Sequence, residues 1–252
     1  MNSATVAAIT HDEAAGQVAA GRLLNAKAGW TSQVCMAHQM QTVIRHALEE
    51  PAMQKMLAHC RKLVGHFKHS NLATAALEDS QKKLKLDRLP LRVVQDVCTR
   101  WNSTYYMLKR LQELRMALTV VLSDDEALQA DNDRLLKDNE WLLMADMVNV
   151  LSEFEKATTV VSGQRYVTLS LILPIATHLS GTMAAVSSTT QTSSGKKLAK
   201  TLQKELQKKF PIQPYDPTSA AAICMALDLR FRDFDVPRAN RQGCLSFVTQ
   251  FS

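Results

Sequence analysis

Three groups of residues in this 252-residue chain have types and spacings that suit chemistry or the binding of a charged ligand. Asp12 follows a short apolar run and precedes an Ala- and Leu-rich stretch, so a strand end and a helix start would fix its carboxylate. Cys35 and His38 form a Cys-x-x-His pair, and lysines recur every four residues from Lys196. The Cys-x-x-His pair could suit zinc, and the lysine row could suit phosphate.

Zinc is one alternative for the pair formed by Cys35 and His38. A structural zinc site needs a second pair of ligands, and His66 and His69, three residues apart on one helix face, would supply it. The segment between the two pairs has helical periodicity, unlike a compact zinc finger, so this alternative is the weaker one. A cysteine nucleophile with a histidine base is weaker still, because so close a pair makes a poor catalytic triad.

The lysine row at residues 196–209 has two interpretations. Such a row can follow the phosphates of DNA, with Lys196 and Lys200 as contacts. It can also be the solvated face of an amphipathic helix, which the four-residue apolar spacing favours. The apolar row in question is Leu198, Leu202, Leu206 and Phe210. A second basic region is interpreted in the same way as plain surface, and comprises Arg61, Lys62, Lys68, Lys82, Lys83 and Lys85.

The elements that would position these residues are an α/β piece followed by helices. Short apolar runs at 4–10 and 32–36 alternate with helical patterns at 13–27 and 39–48, which is typical of strands backed by helices. Further helices are predicted at 51–69, from 70 or 71 to about 86, and at 102–121, 132–161, 168–186, 196–210 and 218–227.

Three other local features are predicted. The β-branched residues 92–97 favour another short strand, and the polar stretch 187–195 is typical of a loop. Pro174 is expected to bend the helix that contains it. An acidic turn at 123–126 is interpreted as a helix start.

Composition excludes several classes of function. Only 8 Gly and 7 Pro favour helices over a sandwich or barrel, and no apolar run approaches the ~20 residues that cross a membrane. Five scattered cysteines favour reduced thiols in an intracellular protein. The net charge of +6 permits contact with nucleic acid without requiring it. No phosphate-binding loop or serine nucleophile motif occurs.

The string Arg100-Trp101-Asn102-Ser103-Thr104 lies within DVCTRWNSTYYML at 96–108. It resembles a motif of the hAT superfamily of transposases and of their zinc finger BED domain-containing relatives. Three further segments resemble family motifs in the expected order: ITHDEAA at 9–15, Cys35-Met36-Ala37-His38 preceded by Trp30, and ALDLRF at 226–231. A local alternative is that Asn102 or Ser103 caps a helix while Trp101 and Tyr105 pack beneath it.

The resemblance implies a fold of α/β plus all-α class. A partial ribonuclease H-like region would occupy 1–101, and an all-helical insertion region would occupy 102–252. In intact relatives two Asp and one Glu hold Mg²⁺ ions for DNA strand transfer, and Asp12 would be the second of the three. Cys35 and His38 would lie near that active site.

The resemblance also implies that Arg92 and Arg100 contact DNA, because they would flank the edge of the active site. The chain departs from the family at Glu13, where a small amide is usual, and at Leu229, where Pro is usual. The first Asp, the last Glu, a BED finger and a dimerisation segment are all missing from the 252 residues.

The expectation is therefore an incomplete or inactive remnant, not an enzyme, with no cofactor of its own; Mg²⁺ is implied only for an intact relative. The expected role is nuclear, through DNA or chromatin binding or the regulation of transcription. The alternative is a helical protein–protein interaction module without DNA contact. A protein partner or homo-oligomer is expected only in a longer form, and no membrane is expected.

Overall fold

The computed structural model describes residues 8–84, 89–124, 136–163, 168–212 and 216–231. The chain divides into two compact units, each built from separate stretches. Unit 1 comprises Met1–Ile44, Glu153–Ala185 and Lys200–Ser252, and unit 2 comprises Arg45–Ser152 and Val186–Ala199. The predicted boundary between residues 101 and 102 lies within unit 2, and the division into a partial ribonuclease H-like region and a helical insertion stays a prediction.

Unit 1 begins with the predicted strand–helix–strand motif. Strand β1 (Ala8–His11) leads into helix α1 (Ala15–Ala28), which leads into strand β2 (Thr31–Val34). The strands pair in parallel, with Ala8 opposite Thr31. Parallel strands need a crossover connection, and α1 provides it. The α/β start of the chain is thus confirmed.

Two glycines shape this motif. Gly29 ends α1 with φ of 68°, a left-handed conformation that side chains disfavour, and its N–H donates to the Asn25 carbonyl at 2.9 Å. Gly21 is buried on α1 where the helix passes close to β2. A Cβ atom at Gly21 would collide with Ser32 Oγ and lie 3.2 Å from His11 Nε2. The close approach of helix and strand therefore requires glycine there.

Helices make up most of the remaining described chain, as predicted. They are α2 (Met36–Leu48), α3 (Pro51–His69), α4 (Asn71–Lys83), α5 (Trp101–Glu113), α6 (Arg115–Asp124), α7 (Asp138–Val161), α8 (Ile172–Thr189), α9 (Ser193–Lys209) and α10 (Ala220–Leu227). Short 3₁₀ turns precede α8 at Leu169–Leu171 and follow α10 at Leu229–Phe231. The bounds of α3 agree with the prediction to the residue.

Two predicted elements are wrong. Residues 92–97 form no strand; side chains bond to the backbone at its two ends, where Arg110 donates to the Arg92 carbonyl and Val97 N–H donates to Ser103 Oγ. The single helix expected at 102–121 is two helices, α5 and α6, interrupted at Leu114. Ser123 and Asp124 of the acidic turn at 123–126 end α6 instead of starting a helix, and residues 125–126 lie outside the described residues.

Two further corrections concern α8 and α9. Pro174 is the third residue of α8, in the first turn, where its missing N–H removes no helical hydrogen bond, so it does not bend the helix interior. The loop expected at 187–195 is only residues 190–192. In unit 2 the Asp146 carboxylate accepts the backbone N–H groups of Gln191 and Thr192 at 2.9 and 2.8 Å, which lets this connection be so short.

Each unit has its own apolar core. In unit 2 the buried face of α3 consists of Met53, Met56, Leu57, Cys60, Leu63, Val64 and Phe67. In unit 1 the buried residues of α8 and α9 include Ile175, Leu179, Met183, Leu202 and Leu206. Contrary to the expectation that no apolar run approaches the length that crosses a membrane, one described stretch, Leu169–Thr189, is long and apolar enough by composition to do so, and half of it is buried in the protein. A core helix has the same composition.

Candidate functional site

The carboxyl ends of β1 and β2 bring the first predicted site residues to one region of unit 1. Asp12 directly follows β1, as predicted, and its Oδ1 accepts the N–H of Ala14 at 2.8 Å. The Asp12 N–H donates to Gln17 Oε1 at 3.0 Å. These bonds shape the turn into α1, so one carboxylate oxygen of Asp12 already has a structural partner.

Glu13 carries the second carboxylate at this turn. The ammonium of Lys209, at the end of α9, lies 2.6 Å from Glu13 Oε1. The hydrogen bond from Lys209 holds the pKa of Glu13 below its ordinary value against the opposing effect of burial, and the charge of Lys209 and His38 adds to it. Glu13 is therefore paired with a lysine of the protein, whereas a carboxylate that binds a metal ion would need to be free of such a partner.

The Cys-x-x-His pair lies at the junction of β2 and α2, as predicted. The N–H of Cys35 donates to the His11 carbonyl at 2.7 Å, which extends the pairing of the two strands by one bond. Cys35 is half-buried and His38 is exposed on the first turn of α2. Among the described residues, no three His, Cys, Asp or Glu side chains lie close enough to hold a metal ion. Cys35 and His38 belong to unit 1 and His66 and His69 to unit 2, so the zinc alternative stays a prediction.

A buried aspartate in unit 2 organises the family-like string. The Asp96 carboxylate is fully covered, and Arg61 donates to it through Nε at 3.0 Å and Nη2 at 2.8 Å. Thr104 Oγ1 donates at 3.0 Å and Gln95 Nε2 at 3.1 Å. Burial raises the pKa of Asp96, but the hydrogen bonds from Arg61, Thr104 and Gln95 lower it by more. The pKa of Asp96 therefore lies below its ordinary value. Arg61 is therefore a structural residue, and its interpretation as plain basic surface is wrong.

The string Arg100–Thr104, called the Trp string below, forms the start of α5. Trp101 and Tyr105 are buried, as the local alternative predicted. Neither Asn102 nor Ser103 is the N-cap; that position is Arg100, whose side chain makes no capping bond. Instead the Val97 N–H donates to Ser103 Oγ at 2.7 Å, which closes the loop before the helix. The side chain of Arg100 is exposed, and its predicted contact with DNA stays a prediction.

Side chains of the ALDLRF segment at 226–231 form hydrogen bonds with one another and with Ser170, all within unit 1. Ser170 Oγ donates to Asp228 Oδ2 at 2.7 Å, and Arg230 Nε donates to Asp228 Oδ1 at 2.9 Å. The Arg230 guanidinium, with help from Ser170, holds the pKa of Asp228 well below its usual range despite some burial. Phe231 is buried beneath the turn. This motif stabilises the end of α10, and the change to Leu229 leaves that 3₁₀ turn in place.

The predicted cationic residues of α9 face outward. Lys196 and Lys200 are exposed, and no carboxylate of a described residue lies within ion-pair distance of either. Other lysines of this helix are paired: Lys197 with Glu50, Lys208 with Glu205 and Lys209 with Glu13. The apolar row is buried, which confirms the amphipathic helix: Leu198, Leu202, Leu206 and Phe210.

Comparison with known proteins identifies the relatives of this chain. Residues 34–150 match the family described as the ZBED1 RNase-like helical domain. This stretch is therefore similar to the hAT-derived, zinc finger BED domain-containing proteins. The chain is 32% identical over 152 residues to Zinc finger BED domain-containing protein 6 of Homo sapiens and to the same protein of Mus musculus. It is 26% identical over 156 residues to Zinc finger BED domain-containing protein 4 of Homo sapiens.

The matched stretches cover 60% of this chain for protein 6 and 62% for protein 4, but only 15% and 13% of those relatives. The family match includes Cys35, His38, Arg92, Arg100 and Trp101. It also includes the Asp96 network, whereas the lysine row and the turn at residue 12 lie outside it. The recognition from the Trp string is thus confirmed, while the roles of the site residues stay predictions.

Two central contacts were not found by sequence reasoning. Arg61 and Asp96 are 35 residues apart, and Glu13 and Lys209 are 196 residues apart, so no local spacing rule connects them. One signal was present in the sequence. Asp96 opens the string on which the resemblance rests, and an acidic residue beside several apolar ones needs a cationic or hydrogen-bonding partner once buried.

Proposed function

We propose that this chain is part of a transposase-derived nuclear protein that binds DNA or chromatin and regulates transcription without cutting DNA. Its fold would be a partial ribonuclease H-like region at 1–101 followed by a helical insertion at 102–252. The observation that carries the DNA role is the exposed row of α9, where Lys196 and Lys200 lack carboxylate partners among the described residues. Similarity to zinc finger BED domain-containing proteins supports the nuclear, transposase-derived context.

The turn after β1 supports the absence of strand transfer. Two-metal chemistry needs several free carboxylates around a pair of cations. In this chain Asp12 Oδ1 accepts a backbone N–H and Glu13 pairs with Lys209 at 2.6 Å. These residues do not fit a two-metal site, and Mg²⁺ belongs only to an intact relative. With Mg²⁺ and a supercoiled plasmid we expect no nicking above the level of the Asp12→Ala variant; nicking lost in that variant would overturn the proposal.

The DNA role is tested by salt dependence. A fluorescein-labelled duplex of ~20 base pairs is titrated with the full chain at several salt concentrations, and anisotropy gives the affinity at each. Each phosphate contact contributes roughly 0.9 to the slope of log affinity against log salt. The Lys196→Gln/Lys200→Gln variant is expected to lower that slope by about two.

The matched control is Lys27→Gln/Lys55→Gln, which removes the same charge from two exposed lysines on α1 and α3. Its slope is expected to stay close to that of the wild type. An equal decrease of the salt slope in both variants would assign the binding to net charge and would show that α9 is not the contact surface. A wild-type chain without salt-dependent binding would overturn the DNA role.

The alternative function, a helical protein–protein interaction module, is favoured by one feature of unit 2. A groove of about 760 Å³ lies along α4 and is lined in part by Leu72, Ala76 and Val120. Leu72 is 83% exposed, and Val120 of α6 is 39% exposed. Contiguous exposed apolar surface marks interaction sites. Failure of the DNA titration together with saturable binding of an amphipathic helical peptide to this groove would support the module.

A further inference from the structure

A cavity of about 360 Å³ lies in unit 2 beside the junction of α3 and α4. Its polar lining contains Lys68, Asn71, Thr74, Glu78 and Arg92. The remaining lining is apolar or small and comes from Phe67, Ala75, Leu77, Leu91 and Val93. Two cations thus share one concave surface with hydrogen-bonding side chains.

The charge of this cavity is positive. No carboxylate of a described residue forms an ion pair with Lys68, whose side chain is exposed. Glu78, the one carboxylate among the described lining residues, pairs with Arg92 Nε at 2.9 Å. The Glu78 side chain is 28% exposed, but that of Arg92 is 74% exposed, so the guanidinium presents most of its surface to solvent. A guanidinium has five N–H donors, and this ion pair uses the one on Nε.

The segment that carries Arg92 is held in place although it is neither helix nor strand. Gln81, buried on α4, donates to the Leu91 carbonyl at 2.8 Å and accepts the Leu91 N–H at 2.9 Å. Arg110 of α5 donates to the carbonyl of Arg92 at 2.6 Å. Four residues further on, the bonds of Asp96 with Arg61 fix the same segment again. The backbone of Arg92 is therefore positioned before any ligand arrives, which lowers the entropy lost on binding.

We propose that this cavity binds a backbone phosphate of DNA, with Lys68 and Arg92 as the cationic contacts. The inference rests on the proposed DNA role and assigns to it a second contact surface, on unit 2. A phosphodiester suits the cavity because its anionic oxygens accept the N–H donors of a guanidinium and an ammonium. Asn71 and Thr74 add polar groups at the wall of the cavity. Such contacts position a protein on DNA without reading its sequence.

The test compares two double variants of the full chain in the same anisotropy titration. Lys68→Gln/Arg92→Gln removes both cations of the cavity and is expected to lower the salt slope by about two. At ~0.1 M salt that corresponds to a loss of affinity of roughly tenfold per contact. A second duplex of unrelated sequence should show the same loss, because a phosphate contact is independent of the bases.

The matched control is Lys55→Gln/Lys109→Gln, which removes two exposed lysines of unit 2 that do not line the cavity. Thermal unfolding of both variants should match the wild type, since the side chains are exposed. A wild-type slope in the cavity variant, with DNA binding intact, would overturn this inference and leave the DNA role standing. An equal decrease of the salt slope in both double variants would also overturn the inference of a phosphate site in this cavity. Absence of binding by the wild type would overturn both.

Discussion

Arg61 reaches Asp96 from α3 with two nitrogens, Nε at 3.0 Å and Nη2 at 2.8 Å from the same carboxylate oxygen. The carboxylate side chain is fully covered, and the Arg61 side chain is 29% exposed. Removal of one partner of a buried pair leaves the other uncompensated. Because Thr104 and Gln95 also donate to Asp96, the network joins the family-like string to α3 and α5.

Replacement of Asp96 should therefore be strongly destabilising. We expect Asp96→Ala to lower the free energy of unfolding by about 3 kcal/mol, measured by urea denaturation followed by circular dichroism. The control is Glu78→Gln, which breaks the exposed ion pair with Arg92 and should cost less than about 1 kcal/mol. Comparable losses in the two variants would contradict a structural role for the Asp96 network.

The position of Gly21 gives a second prediction. In Gly21→Ala the new methyl group would collide with Ser32 Oγ and disturb the hydrogen bond of 2.7 Å between Ser32 Oγ and His11 Nε2. We expect a loss of about 1–3 kcal/mol of stability. Gly16 lies in the same helix, and a methyl group there would meet no described neighbour within 4 Å, so Gly16→Ala should stabilise by about 0.5–1 kcal/mol. Thermal melts should show a lower melting temperature for Gly21→Ala and a higher one for Gly16→Ala than for the wild type.

Glu153 gives a prediction of pH dependence in unit 1. The imidazole of His178, with Nε2 3.5 Å from Glu153 Oε2, lowers the pKa of Glu153 to about 2 against the effect of burial, and Lys156 adds to the lowering. The folded pKa is below the ordinary 4.5, so the stabilisation is present above pH 4.5 and is lost as the pH falls towards 2.

We expect Glu153→Gln to lower stability by about 1–2 kcal/mol at neutral pH and to flatten the loss of stability between pH 4.5 and 2. Denaturant titrations at a series of pH values measure both quantities. A variant whose stability falls with pH as steeply as that of the wild type would show that another carboxylate is responsible.

The contact between Glu13 and Lys209 can be tested without any activity. The hydrogen bond from Lys209 is the first cause of the lowered pKa of Glu13, so Lys209→Met should raise that pKa towards its ordinary value. A carbon-13 NMR titration of the Glu13 carboxylate measures the change. Lys208→Met is the matched control, because Lys208 pairs with Glu205 on its own helix and should leave Glu13 unaffected.

Much of the helical architecture could be predicted because it depends on local patterns. The bounds of α3 follow from Pro51 at its start and from its apolar periodicity, and the buried row of α9 follows from a spacing of four residues. The strand–helix–strand start was predictable for the same reason: short apolar runs alternate with a helical pattern.

The segment at 92–97 could not be predicted in this way. Its β-branched residues favour an extended backbone, and the backbone is not helical, but a strand also needs a partner, and here the side chains of Gln81, Ser103 and Arg110 take that place. The candidate site was partly predictable. The placement of Asp12 after β1 depends on neighbouring residues, whereas the pairing of Glu13 with Lys209 depends on how distant helices pack.

The discontinuity of unit 1 has a consequence for synthesis on the ribosome. Glu13 and Lys209 are separated by 196 residues, and at ~5–20 residues per second the second is made roughly 10 to 40 seconds after the first. During that interval β1, α1 and β2 have emerged without the C-terminal part of their unit. Most of unit 2 lies in one continuous stretch, Arg45–Ser152, and can begin to fold while translation continues. The start of the chain is therefore the part with the longest exposure to chaperones and proteases before its fold is complete.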